Sequence, residues 1–294
     1  MSTRTRFGLS AALVTPFRAD GRIDLAKMVA HARHCLADGC DSITLFGTTG
    51  EGPSIGRDER TAVFAAMLAG GIPTDRIVCG VTETAVPTAT ELARVALESG
   101  CRAVMLTPPF YFKSPSADGV HAWYAAVFAA LGPVARDVVL YHIPSATLVP
   151  FSLEQILRLA REFPEIVRGV KDSGCDWSFT EKLLAARGHL EILVGDERDL
   201  ARAVRAGGAG AISGLANVCP RRVRGLAVGG VDDPAVSALV DEVLRLPVTP
   251  AVKSLVAHVT GDAEWARTRA PLETTPSDAA AALAAFHDRV FPAA

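Results

Sequence analysis

Short apolar runs, many of them β-branched, alternate with amphipathic stretches from one end of the chain to the other. The runs near 7–15, 41–47, 76–82, 102–107, 137–142, 167–171, 190–194 and 209–213 predict eight strands. The segments between them read as helices. After Asp24, a good N-cap, Leu25, Met28, Val29, Ala32, Cys35 and Leu36 fall on one helical stripe that Gly39 closes. Thr88 with Glu91, and Ser152 with Gln155, have the spacing of a capping box. Asp176 can cap the helix that carries Leu183 and Leu184, and the helix before it is expected to end near Pro164.

Strict strand–helix alternation with eight strands argues for an α/β fold, a closed (β/α)8 (TIM) barrel. The rival, an open doubly wound sheet, usually carries a glycine-rich phosphate loop after its first strand. Here Thr15-Pro16-Phe17 follows instead. Helical patterns near 232–246, 250–260 and 276–290 come after the eighth unit. The expected organisation is a catalytic barrel over 1–229 and a C-terminal three-helix extension over 230–294.

Composition narrows the function classes. The chain has 294 residues, 49% of them hydrophobic, enough for a large core. A net charge of −2 gives no reason to expect nucleic acid or an anionic membrane as partner. Arg221, Arg222 and Arg224 form the densest basic cluster, next to Pro220 at an expected helix start, and read as a solvated face. Six cysteines without a CxxC pair suggest reduced, mostly buried thiols and a cytoplasmic location. No apolar run follows the charged start at Arg4 and Arg6, and no stretch suits a membrane span, so neither a secretory leader nor a membrane helix is expected.

Active sites of such barrels lie at the C-terminal ends of the strands. Two of the three tyrosines, Tyr111 and Tyr141, fall there, and so does Lys171. In Val167-Arg168-Gly169-Val170-Lys171, strand alternation puts Val167, Gly169 and Lys171 on one face, with Gly169 leaving space for the amine. Burial of an amine favours its neutral form, which can attack a ketone and form a Schiff base. A solvated lysine at a strand tip is the alternative on this segment alone. Gly47-Thr48-Thr49-Gly50 offers a tight turn with hydroxyls and backbone donors for a carboxylate, or an ordinary βα turn. Tyr141 offers a phenol for proton transfer, and a half-buried aromatic is its plainer reading. Asp196 and Glu197, after strand 7, suit substrate hydroxyls or a helix cap. His142 is expected to point away from the pocket. His31 and His34, on the first helix, are expected at the surface, and no metal-ligand pattern appears at the strand ends.

Taken in order, Gly47-Thr48-Thr49-Gly50-Glu51, Thr107-Pro108-Pro109-Phe110-Tyr111, Tyr141-His142-Ile143-Pro144-Ser145, Gly169-Val170-Lys171-Asp172-Ser173 and Gly207-Gly208-Ala209-Gly210-Ala211-Ile212-Ser213 span nearly the whole chain. They resemble the pyruvate-dependent class I aldolase family that contains dihydrodipicolinate synthase and N-acetylneuraminate lyase. The resemblance implies a barrel with a helical extension, assembled as a homotetramer. It implies Lys171 as Schiff-base lysine, Tyr141 as acid/base, and Thr48 and Thr49 on the pyruvate carboxylate. Tyr111 would complete a hydroxyl relay from the neighbouring subunit. Ser173, Gly195, Asp196, Glu197 and Ile212 would meet the remainder of the substrate. No metal or organic cofactor is implied.

One departure bears on the substrate. In the synthase branch an arginine after the catalytic tyrosine serves the second substrate's carboxylate, and Ala146 stands there. The expected activity is therefore a lyase that releases or condenses pyruvate and an aldehyde from a 4-hydroxy-2-oxo acid, such as a 2-oxo-3-deoxy sugar acid. The alternatives are 4-hydroxy-tetrahydrodipicolinate synthase, a dehydratase of similar sugar acids, and a sugar-acid-binding protein without turnover.

Overall fold

The computed structural model describes residues 6–292. Eight parallel strands close into a barrel in sequence order: β1 (Gly8–Ala12), β2 (Ser42–Leu45), β3 (Ile77–Val81), β4 (Ala103–Leu106), β5 (Val138–His142), β6 (Val167–Asp172), β7 (Glu191–Val194) and β8 (Gly210–Ser213). The β8 strand returns to β1 through Gly8 opposite Gly210. The first strand is shorter than the apolar run around it, because Leu13 and Val14 continue into the buried loop toward Thr15.

Helices α1 (Leu25–Ala37), α2 (Arg57–Ala69), α3 (Val86–Glu98) and α4 (Ala117–Leu131) wrap the first half. A single turn, α5 (Pro144–Thr147), follows β5, and α6 (Leu153–Glu162), α7 (Trp177–Ala186), α8 (Glu197–Arg205) and α9 (Pro220–Ala227) complete the ring. Beyond it lie α10 (Pro234–Val243), α11 (Val248–Thr260) and α12 (Ser277–Val290); α10 packs on α8 and α12, and α11 on α12. Among the described residues no helix is long and apolar enough to cross a membrane.

Local signals act as their chemistry requires at most helix starts. Asp24 accepts from Lys27 N–H, Asp176 from Ser178 N–H, and Ser152 and Gln155 form a reciprocal capping box. Thr88 does not cap. The α3 helix begins at Val86, with Pro87 in its first turn, and so Thr88 is already helical. His31 is not at the surface either. It is 5% exposed, and its Nε2 lies 3.0 Å from the Asn217 side-chain oxygen. The arginines of α9 are partly solvated but paired: Arg221 with Asp38, Arg222 with Asp233 and Arg224 with Asp41.

Two apolar layers hold the fold. The outer one joins the strands to the helices, and the inner one fills the barrel with Val78, Met105, Val139, Leu193 and Ile212 around Tyr141. Each aliphatic side chain buried this way contributes about 1.5–3 kcal/mol relative to exposure.

The β6 strand is bulged. Val138 pairs with Val167 and Val139 with Gly169, so Arg168 is the extra residue. Val167 thus joins the outer layer with Val170 and does not share the face of Lys171, contrary to simple alternation. The Arg168 guanidinium turns toward the Phe7 ring and pairs with Glu191 at 2.6 Å. Gly169 does not serve to leave space for the amine. A Cβ there would stand 2.1 Å from the Glu191 carbonyl oxygen, so glycine permits β6 and β7 to approach.

Candidate active site

A cavity of about 250 Å³ opens at the C-terminal ends of the strands. Its floor comes from the barrel interior. Lys171, the penultimate residue of β6, is 5% exposed, and Tyr141, on the neighbouring strand, is 2% exposed. The two residues are register partners across β5 and β6. The Lys171 amine donates to the Tyr141 hydroxyl at 3.2 Å and lies 4.4 Å from the centre of its ring. On the other side, the Tyr141 hydroxyl is 3.2 Å from Thr48 Oγ1. An amine, a phenol and an alcohol therefore form one continuous hydrogen-bonded chain in an apolar floor. It can offer a nucleophile and pass a proton at adjacent points.

The turn that brings Thr48 and Thr49 to the cavity is held from four sides. Gly52 N–H bonds the Gly47 carbonyl, closing the turn itself. Thr15 Oγ1 donates to the Gly50 carbonyl at 2.7 Å, and Thr249 Oγ1, on α11, donates to the Thr48 carbonyl at 3.2 Å. Glu51, in the left-handed region at φ 56°, buries its carboxylate against Lys253 of α11 at 2.6 Å and accepts Arg269 N–H at 2.9 Å. Lys253 is fully buried and also donates to the Thr15 carbonyl. Burial pulls the Lys253 amine below its ordinary range, and the charge of Glu51 opposes that pull. This pair was not foreseen from the sequence. The available signal was a lysine inside Ala251-Val252-Lys253-Ser254-Leu255-Val256, an otherwise apolar helical run.

The residues expected around the remainder of a substrate meet at the same cavity. Ser173, Gly195, Asp196, Glu197 and Ile212 line it together with Thr48 and Thr49. A Cβ at Gly195 would come 2.2 Å from Ser173 Oγ, so glycine at 195 makes the space that this hydroxyl occupies. Asp196 is the N-cap of α8 and binds Arg198 at 2.6 Å. Burial pushes its carboxyl up, but the hydrogen bonds from Arg198 outweigh this and hold it below the ordinary carboxylate range. Glu197 is 6% exposed and accepts from Ser213 Oγ at 2.5 Å; burial raises its carboxyl, and the Ser213 bond opposes the rise. One residue caps and both face the pocket. Across from them α10 and α11 present an aliphatic wall that includes Val240, Val243, Leu244 and Val248. Lys171 is the sole cation among the described residues lining the cavity, and Ala146 sits on its rim.

Tyr111 is the expected site residue that this chain does not bring to its own pocket. It is 73% exposed, edge-on to the equally exposed Phe112 at 5.3 Å between ring centres. His142 faces away as alternation requires. Its Nδ1 accepts from Phe151 N–H, its ring stacks on Phe179 at 4.7 Å, and burial holds the imidazole below its ordinary value.

A barrel with a buried lysine and a tyrosine at adjacent strand ends has the layout of an enzyme site for carbonyl chemistry. Comparison with known proteins makes this specific. The chain belongs to the dihydrodipicolinate synthetase family, whose model matches residues 6–260. It is 32% identical to an uncharacterized DapA-like lyase of Chloroflexus aurantiacus, with 96% of each chain covered. It is 33% identical to a 4-hydroxy-tetrahydrodipicolinate synthase of Rhizobium meliloti, over 73% of this chain and 71% of that one. The crystal structure of a dihydrodipicolinate synthase from Agrobacterium tumefaciens is 52% identical and superposes with a TM-score of 0.96, covering 97% of this chain and 100% of that one. The protein is thus a lyase of the class I aldolase type.

Proposed function

We propose that this lyase cleaves, or reversibly forms, a 4-hydroxy-2-oxo acid by way of a pyruvate enamine on Lys171, and that its aldehyde partner carries hydroxyls and no anionic group. The observation that carries the reading is the Lys171–Tyr141–Thr48 chain in a cavity where, among the described residues, Lys171 is the sole lining cation. The Lys171 amine adds to C2 and water leaves, giving a protonated imine. The departing water carries off the Tyr141 hydroxyl proton, and the phenolate so formed takes the C4 hydroxyl proton. The C3–C4 bond breaks, its electron pair flows into the imine, and the aldehyde departs. Protonation of the enamine at C3 and hydrolysis release pyruvate and restore the amine. Thr48 and Thr49 would hold the carboxylate, with Thr48 handing protons to and from Tyr141. Ser173 and Glu197 would meet hydroxyls of the aldehyde, while the aliphatic wall excludes water beside its carbon chain. Tyr111, reaching from a neighbouring copy in a homotetramer, would extend the hydroxyl relay.

The synthase reading has its own support in the 52% identity to the Agrobacterium tumefaciens protein. A dehydratase would use the same imine but expel hydroxide. Matched assays of pyruvate with polyhydroxylated aldehydes and with aspartate semialdehyde separate these. Arg–carboxylate pairs are among the stronger polar contacts, so a pocket lacking one should discriminate against the semialdehyde. A higher kcat/KM for aspartate semialdehyde than for every sugar aldehyde would return the protein to the synthase branch.

A further inference from the structure

At the C-terminal end of α11, whose first turns line the cavity, two histidines from different helices converge on one carboxylate oxygen. His258 lies in the last turn of α11, and His287 and Asp288 in the last turn of α12. His258 Nε2 is 2.7 Å and His287 Nδ1 is 3.1 Å from the same atom, Asp288 Oδ1. The three ligand atoms lie within 4.8 Å of one another. The imidazole rings stand 79° apart with centres 5.4 Å from each other, and Phe291 packs edge-on to His287 at 5.2 Å.

This geometry is close to what a tetrahedral ion requires. Metal–nitrogen and metal–oxygen bonds of about 2.0–2.2 Å imply ligand–ligand edges of about 3.3–3.5 Å. The two observed edges, 2.7 and 3.1 Å, are shorter by about 0.2–0.8 Å, a shift that rotation of the exposed Asp288 side chain supplies. Imidazole with carboxylate suits zinc and its transition-metal neighbours, whereas calcium and magnesium favour all-oxygen shells. The partial exposure of His258 and Asp288 leaves a side open for water as a fourth ligand.

We propose that His258, His287 and Asp288 bind a zinc-class divalent ion that clasps α12 to α11. The site is separate from the catalytic cavity. Its mechanical link to that cavity is α11, which also carries Lys253 and Thr249 against the Thr48–Thr49 turn.

Untagged full-length protein, stripped with chelator, should take up one zinc ion per chain in calorimetry. Magnesium should give no binding heat. Zinc-edge X-ray absorption should show two imidazoles, light-atom ligands and no sulfur. His258→Ala and His287→Ala should each weaken zinc by roughly a hundredfold, the upper end of the losses seen even for outer-shell changes. Zinc should raise the Tm of the parent and not of these variants. Asp288→Asn, at a mostly exposed side chain, gives the same readout should a histidine variant misfold. Absence of stoichiometric zinc, sulfur in the shell, or undiminished affinity in the variants would overturn the proposal.

Discussion

Two lysines are buried in this molecule, and they are buried for opposite ends. Lys171 is 5% exposed and faces a phenol hydroxyl; Lys253 is fully buried and faces a carboxylate. Both sit near the C-terminal face of the barrel and both touch the machinery of the Thr48–Thr49 turn. The partner decides what each can do. A carboxylate at 2.6 Å neutralises an ammonium, and its charge favours keeping the proton. The Tyr141 hydroxyl leaves the Lys171 nitrogen beside open cavity where a carbonyl carbon can enter. Burial alone therefore does not single out a nucleophile; the role proposed for Lys171 rests on its hydroxyl partner and the open cavity beside it.

The sharpest way to break this contrast is covalent. Pyruvate with borohydride should leave a reduced adduct on Lys171 and none on Lys253, because only an imine is trapped as a stable amine. Peptide mapping by mass spectrometry reads it, and Lys171→Met should abolish both adduct and turnover while the circular dichroism is retained. An adduct on Lys253 or Lys182 alone would end the assignment. The second test strikes the other lysine. Lys253→Met strands the Glu51 carboxylate in the core, which should cost about 3–5 kcal/mol in urea unfolding. Pairing it with Glu51→Gln should recover part of that loss. A cost within about 0.5 kcal/mol would show that the pair does not hold the turn. The third test is smaller. Tyr141→Phe removes one hydroxyl and little volume, so imine should still form slowly while turnover falls by roughly a hundredfold, about 2.7 kcal/mol. Near-parental turnover would move the proton transfer to another group.

The two lysines also mark where a one-dimensional reading stops. Strand–helix alternation is a local property, and it placed all eight strands and led to the barrel. The strand-end rule then collected Lys171, Tyr141, Thr48, Ser173 and Glu197 from four separate segments, and the structure brings them to one cavity. What stayed hidden depends on distant pairings. Glu51 and Lys253 are 202 positions apart, and His31 and Asn217 are 186 apart. The bulge at Arg168 arises from register between strands, which no period in β6 encodes. Even so, traces were present. His31 follows Met28 by three positions on the apolar stripe of α1, the position of a core residue. Thr88 had capping spacing but lost to Pro87, whose fixed backbone starts the helix earlier.

His31 extends the contrast to a third buried base and gives the smallest expected effect. Its partner is the neutral amide oxygen of Asn217, and burial holds its pKa down to about 4, against an ordinary value near 6.5, with Asn217 opposing only in part. The sign follows from linkage. Between pH 6.5 and 4 the unfolded chain binds the proton and the folded chain does not, so stability is fully present above the unfolded value and falls as pH drops toward 4. At pH 5 the loss from this one group is about 2 kcal/mol. Urea unfolding at pH 7 and pH 5 measures it, and comparison with His31→Gln removes the contribution of the carboxylates. The parent should lose about 2 kcal/mol more than the variant over that interval. Equal losses would mean that the imidazole is not held neutral by its surroundings.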